Sequence, residues 1–337
     1  MDESAKDLLD AGIKQVKDGQ YDASITLLNK ARTLLDGKDD RPSKMLLSEA
    51  LRWLSLCKAR LGGFTEGVIL ARQAMDLSRS QGDDAGEADA LRRLGHIHFR
   101  KGDYNLANEF FESALQKATA SKATIVIGLV KLDRATNLSA LGRCKEAEVS
   151  LYEAIKILKG SDDLSELLRA YNNLGSCLTD QDKFEEALEI FQISKGISEN
   201  VGDEVRKGWA QLNLGSTYND LGRPQEALKD LKGALKLLER HEEKAGIAFT
   251  HIEFGLAYTI TKELDLAQKH LDIALGMLIK MELPAELGEV HEALAKVLKE
   301  KDDKDGAKAH LVQAKASFSG MGKILDVKRI EDKLKEL

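Results

Sequence analysis

Proline is scarce, with three residues in 337, so little in this chain interrupts a helix. Cysteine is scarce too. Cys57, Cys144 and Cys177 lie far apart, and no two form a C-x-x-C pair, which leaves neither a disulfide framework nor a zinc signature. No apolar run approaches the ~18 residues of a membrane helix. The opening MDESAKDLLD is acidic and lacks the basic and apolar regions of a secretory signal. The expected setting is therefore reducing and cytoplasmic, away from membranes. An excess of basic charge is also missing: the formal net charge is -6, against the basic surface that general nucleic-acid binding needs. What remains is 43% hydrophobic and 31% charged residues, rich in helix-forming Ala, Leu, Glu and Lys.

Those residues repeat. Segments such as ALRRLGHIH, YNNLGSCL, QLNLGSTY and HIEFGLAY each carry one small residue after an apolar stretch, at Gly12, Ser55, Gly95, Ala135, Gly175, Gly215, Gly255 and Ala295. The first step is 43 residues and the next six are 40, a fixed period that marks a repeat architecture. A second column lies twelve residues on, at Ser24, Gly67, Ala107, Ala147, Ala187, Ala227, Ala267 and Ala307. A third lies seven beyond that, at Ala31, Ala74, Ala114, Ala154, Ser194, Ala234, Ala274 and Ala314. Antiparallel helices approach closely only where facing side chains are small. The pattern predicts a helix pair per repeat, with Leu28, Phe111, Leu151, Phe191, Leu231, Leu271 and Leu311 filling the space between.

The breaks are as regular as the columns. Gly19, Gly62, Gly102, Gly142 and Gly222 share the position where a left-handed residue ends a helix, and Asp182, Lys262 and Asp302 stand there in repeats five, seven and eight. Pro224 suits the first turn of a following helix. Asp83, Asp163 and Asp203 are placed to cap the next one. The polar stretch at 36–43, with Pro42, reads as a longer first connection that absorbs the three extra residues. At the end, KILDVKRIEDKLKEL puts Ile324, Val327, Ile330 and Leu334 on one face, and reads as a capping helix over 320–337.

With its small-residue columns and G-x-Y turn, ALRRLGHIHFRKGDYNLANEFFESAL resembles the tetratricopeptide repeat. The usual period is about 34 residues, and the proline that ordinarily ends the second helix is missing. The 40-residue spacing is more similar to LGN/Pins-type adaptors, rapsyn and bacterial peptide-sensing regulators. The resemblance implies an all-α, right-handed superhelical solenoid of eight helix pairs over 1–337, with repeats starting near 5, 48, 88, 128, 168, 208, 248 and 288. It also implies that the first helix of each pair lines a concave groove, through positions two, three and six before the first small column and one, four and five after it. In this sequence those positions include Arg52, Trp53, Arg60, Arg92, Arg93, His96 and Arg100, then Arg169, Asn172, Asn173, Asn213, Asn219 and Asp220, then Trp209. Arginine forks suit acidic side chains or a terminal carboxylate, and asparagine amides suit a peptide backbone. Helical ion pairs from Asp89 and Glu49 could absorb some of that charge. The family's carboxylate clamp for chaperone termini is matched only at Asn173 and Asn213.

Catalytic signals are missing. His96 and His98 point about 200° apart on a helix, His98 shares a core column with Tyr218 and Tyr258, and the remaining histidines are scattered. Cys57 and Cys177 share a column on the packed side of the first helix. The expectation is an adaptor without cofactor or metal that binds an extended, acidic segment of a protein or peptide partner, as a monomer or weak homodimer and without nucleic acid. The alternative is a peptide-sensing regulator whose solenoid changes pitch.

Overall fold

The computed structural model describes residues 4–161, 163–281, 283–321 and 323–337. The first three residues of the acidic start and Gly322 of the capping segment lie outside the described residues. Among the described residues the chain is all-α, with seventeen α-helices and no strand. It forms two compact units, Met1–Cys177 and Leu178–Leu337.

The first unit holds α1 (Ala5–Lys17), α2 (Tyr21–Leu35), α3 (Arg41–Arg60), α4 (Phe64–Ser80), α5 (Asp84–Arg100), α6 (Tyr104–Ala120), α7 (Thr124–Ala140), α8 (Cys144–Leu158) and most of α9 (Leu164–Thr179). The second holds α10 (Phe184–Asn200), α11 (Glu204–Asp220), α12 (Pro224–Arg240), α13 (Lys244–Ile260), α14 (Leu264–Met281), α15 (Pro284–Glu300), α16 (Lys304–Gly320) and α17 (Ile324–Lys335). Odd-numbered helices through α15 are the first members of the pairs. Each unit is a stretch of helical-repeat solenoid.

Every one of the 24 small-column residues is buried. Their purpose is visible where the column is glycine. A Cβ on Gly95 would sit 2.6 Å from the Phe111 ring, and one on Gly215 would sit 2.5 Å from Leu231. The large residue of the second helix therefore fills the volume that the first helix leaves empty, at the close packing of a protein interior. The seven large fillers expected from sequence are all buried.

The left-handed turn survives without glycine. Gly102 has φ 82° and Lys262 has φ 65°; Asp182 and Asp302 behave alike. The hydrogen bonds explain this. Asp103 N donates to the His98 carbonyl at 2.9 Å, and Glu263 N donates to the Tyr258 carbonyl at 2.9 Å, so each turn closes the same helix-terminal ring. A non-glycine there costs about 1 kcal/mol, which packing on either side overrides.

Capping also sets where helices begin. Asp83 and Asp203 accept from Gly86 N and Arg206 N, each at 2.9 Å, and Asp163 accepts from Glu166 N at 3.3 Å. The 36–43 stretch is not all connection. Asp40 caps at Ser43 N, so Arg41, Pro42 and Ser43 form the first turn of α3, which runs 20 residues where α5 runs 17. Part of the extra length is helix, because Pro42 is pre-set for a first turn. At the other end Ile330 is buried, with Val327 and Leu334 packed beside it. Ile324 departs from the expected face: it is 79% exposed, one turn too early to reach the apolar surface of α16.

Candidate functional site

In the first unit, α3, α5, α7 and α9 bring their charged positions into register. Arg92 Nε donates to Asp89 Oδ1 at 2.8 Å, and its Nη1 donates to Asp133 Oδ2 at 2.7 Å. Arg169 Nη2 donates to the other Asp133 oxygen at 2.7 Å, and its Nε donates to Glu166 at 2.7 Å. Asp133 is 3% exposed and Arg92 5%. Burial alone would raise the Asp133 carboxyl. The Arg169 and Arg92 guanidinium groups overturn that and hold it well below the usual carboxylate range. Asp89 is held down in the same way, by Arg92, Arg93 and Arg52.

Two guanidinium groups are served less well. Arg52 Nε and Arg93 Nε lie 3.5 and 3.7 Å from the same oxygen, Asp89 Oδ2, beyond good hydrogen-bond length. Both nitrogens are buried and have no hydrogen-bond partner among the described residues. Arg93 lies over the Trp53 ring, 4.6 Å from its centroid, a cation–π contact. Burial and the neighbouring Arg92 charge push Arg93 down to about 10. Burial likewise pushes His96 down to about 3, so it is neutral, and its Nε2 is also without a partner among the described residues. Glu49, expected to absorb Arg52, makes no ion pair among the described residues. Asp89, on the next first helix, takes that place.

Arg60 and Arg100 stand apart from this network. Both are exposed, and neither has an ion pair or hydrogen bond among the described residues. Burial and then the Arg60 charge lower Arg100. The arginines expected to line the groove thus fall into two groups. Arg52, Arg92, Arg93 and Arg169 are held in or beside a buried ion network, while Arg60 and Arg100 remain open. Asn173 donates to Thr136 Oγ1 at 2.8 Å, and Asn172 is half-buried on the same helix.

In the second unit, Trp209 on α11 packs edge-on against Phe249 of α13, with centroids 6.0 Å apart. Asn219 is buried and donates to Glu253 Oε2 and to its backbone carbonyl, both at 2.9 Å; Ser216 donates to Oε1 at 2.9 Å. Asn213 is half-buried. Asp220 ends α11, its carboxyl raised by partial desolvation and by Asp182. Desolvation, with Asp220 and Glu289 adding to it, pushes Glu253 up to about 7.

Sequence reasoning did not single out Asp133 or Glu253, although both occupy the column of Trp53, Arg93, Asn173 and Asn213. It also treated four histidines as scattered. His251 and His270 meet Nδ1 to Nδ1 at 2.8 Å, and His291 and His310 do so at 2.9 Å. The two pairs are 40 residues apart, so the repeat period was the missed signal. His98 is buried as expected, stacked on Phe110 at 5.3 Å with Nδ1 3.1 Å from Asp103. Cys57 and Cys177 are buried, and the Cys177 thiol donates to the Cys144 carbonyl at 2.9 Å. Among the described residues no three His, Cys, Asp or Glu side chains gather as a metal site, and no helix is long and apolar enough to cross a membrane.

A model of the tetratricopeptide repeat matches residues 46–120 and 166–240. The Arabidopsis thaliana protein kinesin light chain-related 1 is 24% identical over 256 residues, 71% of this chain and 41% of that protein's length. Among solved structures, aspartyl phosphate phosphatase F from Bacillus subtilis aligns with TM-score 0.65 at 12% identity, over 94% of each chain. A Rap protein complexed with competence and sporulation factor aligns with TM-score 0.62 at 13% identity, over 98% of this chain and 99% of that one. Residues 46–120 and 166–240 thus match the tetratricopeptide repeat, and the described helices on either side of them continue the same small-residue columns.

Proposed function

We propose that this chain is a protein-interaction scaffold that holds an acidic, extended segment of a partner against the first-helix face of Met1–Cys177. The carrying observation is the exposed pair Arg60 and Arg100. The two guanidinium groups share one column, on α3 and α5, the Arg60 charge lowers Arg100, and neither has an ion pair among the described residues. Packing gives no reason for that arrangement; a ligand carboxylate does. The Rap protein of similar fold was solved with a competence and sporulation factor, a likeness that supports the scaffold and leaves the ligand's charge to be read from this chain.

Charge reversal at these two exposed positions leaves the buried network intact. In affinity capture from the native extract, Arg60→Glu/Arg100→Glu is expected to lose at least one protein retained by wild type, with helicity unchanged. The lost protein should also elute from wild type as salt rises. Retention of every partner by the variant would remove this reading.

A further inference from the structure

The ion network on α3, α5, α7 and α9 is one carboxylate short. Four guanidinium groups, Arg52, Arg92, Arg93 and Arg169, share Asp89, Asp133 and Glu166. Asp133 is fully used by Arg92 and Arg169, and Glu166 serves Arg169. One oxygen of Asp89 is taken by Arg92, which leaves the other to two guanidinium groups at 3.5 and 3.7 Å. A buried cation without a hydrogen-bonded anion is destabilising. Neutral His96 supplies no charge, and Glu49 does not reach in.

We infer that Arg93, lying on Trp53, is a carboxylate-binding subsite, and that a bound partner supplies the missing anion. This rests on the scaffold reading above and assigns one ligand group within it. The Arg93 side chain is 8% exposed, and its buried unpartnered nitrogen is Nε, so the terminal nitrogens form the accessible end of the fork. A guanidinium fork fits a carboxylate at two points. Two sources present that chemistry, an Asp or Glu side chain and a chain-terminal carboxylate.

Trp53 is the built-in reporter. The chain has two tryptophans, so Trp209→Phe leaves Trp53 as the only one. The probes are the acetylated hexapeptide Gly-Ala-Asp-Ala-Gly-Ala amide, its Asn counterpart, and the Asn peptide with a free C-terminal carboxylate. The Asp peptide is expected to change Trp53 emission saturably and to bind at least about tenfold more tightly than the Asn amide. A response to the free-acid peptide alone assigns the subsite to a chain terminus. Arg93→Gln should abolish the emission change without lowering thermal stability, because it removes an underserved buried cation. His96→Glu, one helical turn from Arg93, should supply the anion in cis and weaken the peptide at least tenfold.

If Arg93→Gln binds the Asp peptide as wild type does, or melts as far below wild type as Asp133→Asn, the subsite is wrong. If binding survives Arg93→Gln but not Arg60→Glu/Arg100→Glu, the acidic-segment reading stands and only the subsite falls. A flat titration of wild type with all three peptides overturns both.

Discussion

Asp133→Asn is expected to destabilise the first unit by about 3–5 kcal/mol, the cost of removing one partner from a buried ion network. The side chain is nearly isosteric, so the loss is electrostatic. Arg92 and Arg169 each lose a 2.7 Å charge-assisted bond, and four guanidinium groups are left with two carboxylates. At roughly 2–4 °C per kcal/mol for a unit of this size, the first unit should melt about 6–20 °C below wild type. Arg92→Met added to Asp133→Asn should recover part of the loss, because the two positions are coupled. The network has an acid limit as well. Asp89 and Asp133 are held below their ordinary value of 3.8 in the folded chain. Their stabilisation is therefore complete above that pH and drains away below it. Thermal melts followed by circular dichroism measure both effects. An Asp133→Asn melt within 2 °C of wild type would mean, on the same scale, that Asp133 contributes no more than about 1 kcal/mol and that the predicted loss is wrong.

The second unit should soften under far milder acid, through its histidine pairs. Burial pushes His270 and His291 down to about 4, each with a further push from the partner ring, and it lowers His251 and His310 as well. Each pair depends on neutral rings, since one Nδ1 must donate and the other accept. A histidine lowered on folding contributes stability that is complete above about 6.5 and lost as pH falls toward about 4. Lys269 beside His270 adds to the penalty, whereas Asp272 and Asp303 near His310 relieve it. The rings are partly exposed, so screening reduces the loss to on the order of 1 kcal/mol for each of His270 and His291. The second unit should then melt roughly 4–8 °C lower at pH 4.5 than at pH 7. His270→Gln/His291→Gln keeps a donor and an acceptor at each position without a titrating ring, and should remove at least half of that fall. Glu253 acts with the opposite sign. Raised to about 7, it stabilises most below about 4.5 and least above 7, so Glu253→Gln should raise the melting temperature at pH 8. An acid slope unchanged by the double glutamine variant would place the titration elsewhere.

Both predictions concern groups that the sequence half revealed. The helix pairs, their turns and their caps were legible because each depends on local chemistry: a small residue where helices touch, a left-handed residue at a helix end, an aspartate before a first turn. The turn at Lys262 was legible from its column even though the residue type argued against it. Charge on the inner face was not legible in the same way. Whether Arg92 meets solvent or a carboxylate depends on Asp133, 41 residues later and on another helix. An arginine reads alike in both settings until the first helices are laid side by side. The period held the clue, since Arg92 to Asp133, Arg52 to Asp89 and Asn219 to Glu253 all fall within a few residues of one repeat. Ile324 shows the opposite failure. Its amphipathic face was read correctly, but the surface that face would need ends before reaching it.

The proposed partner should lie on the first-helix face of Met1–Cys177. Site-specific photocrosslinking tests this, with a benzophenone amino acid at position 140 on α7, an exposed position in the column of Arg60 and Arg100, or at position 149 on α8, where Val149 is 61% exposed on a second helix. In the native extract, position 140 is expected to yield a discrete crosslinked protein that excess acidic hexapeptide suppresses, and position 149 none. A discrete adduct from position 149 with none from position 140 would move the interaction surface to the second helices and overturn this reading.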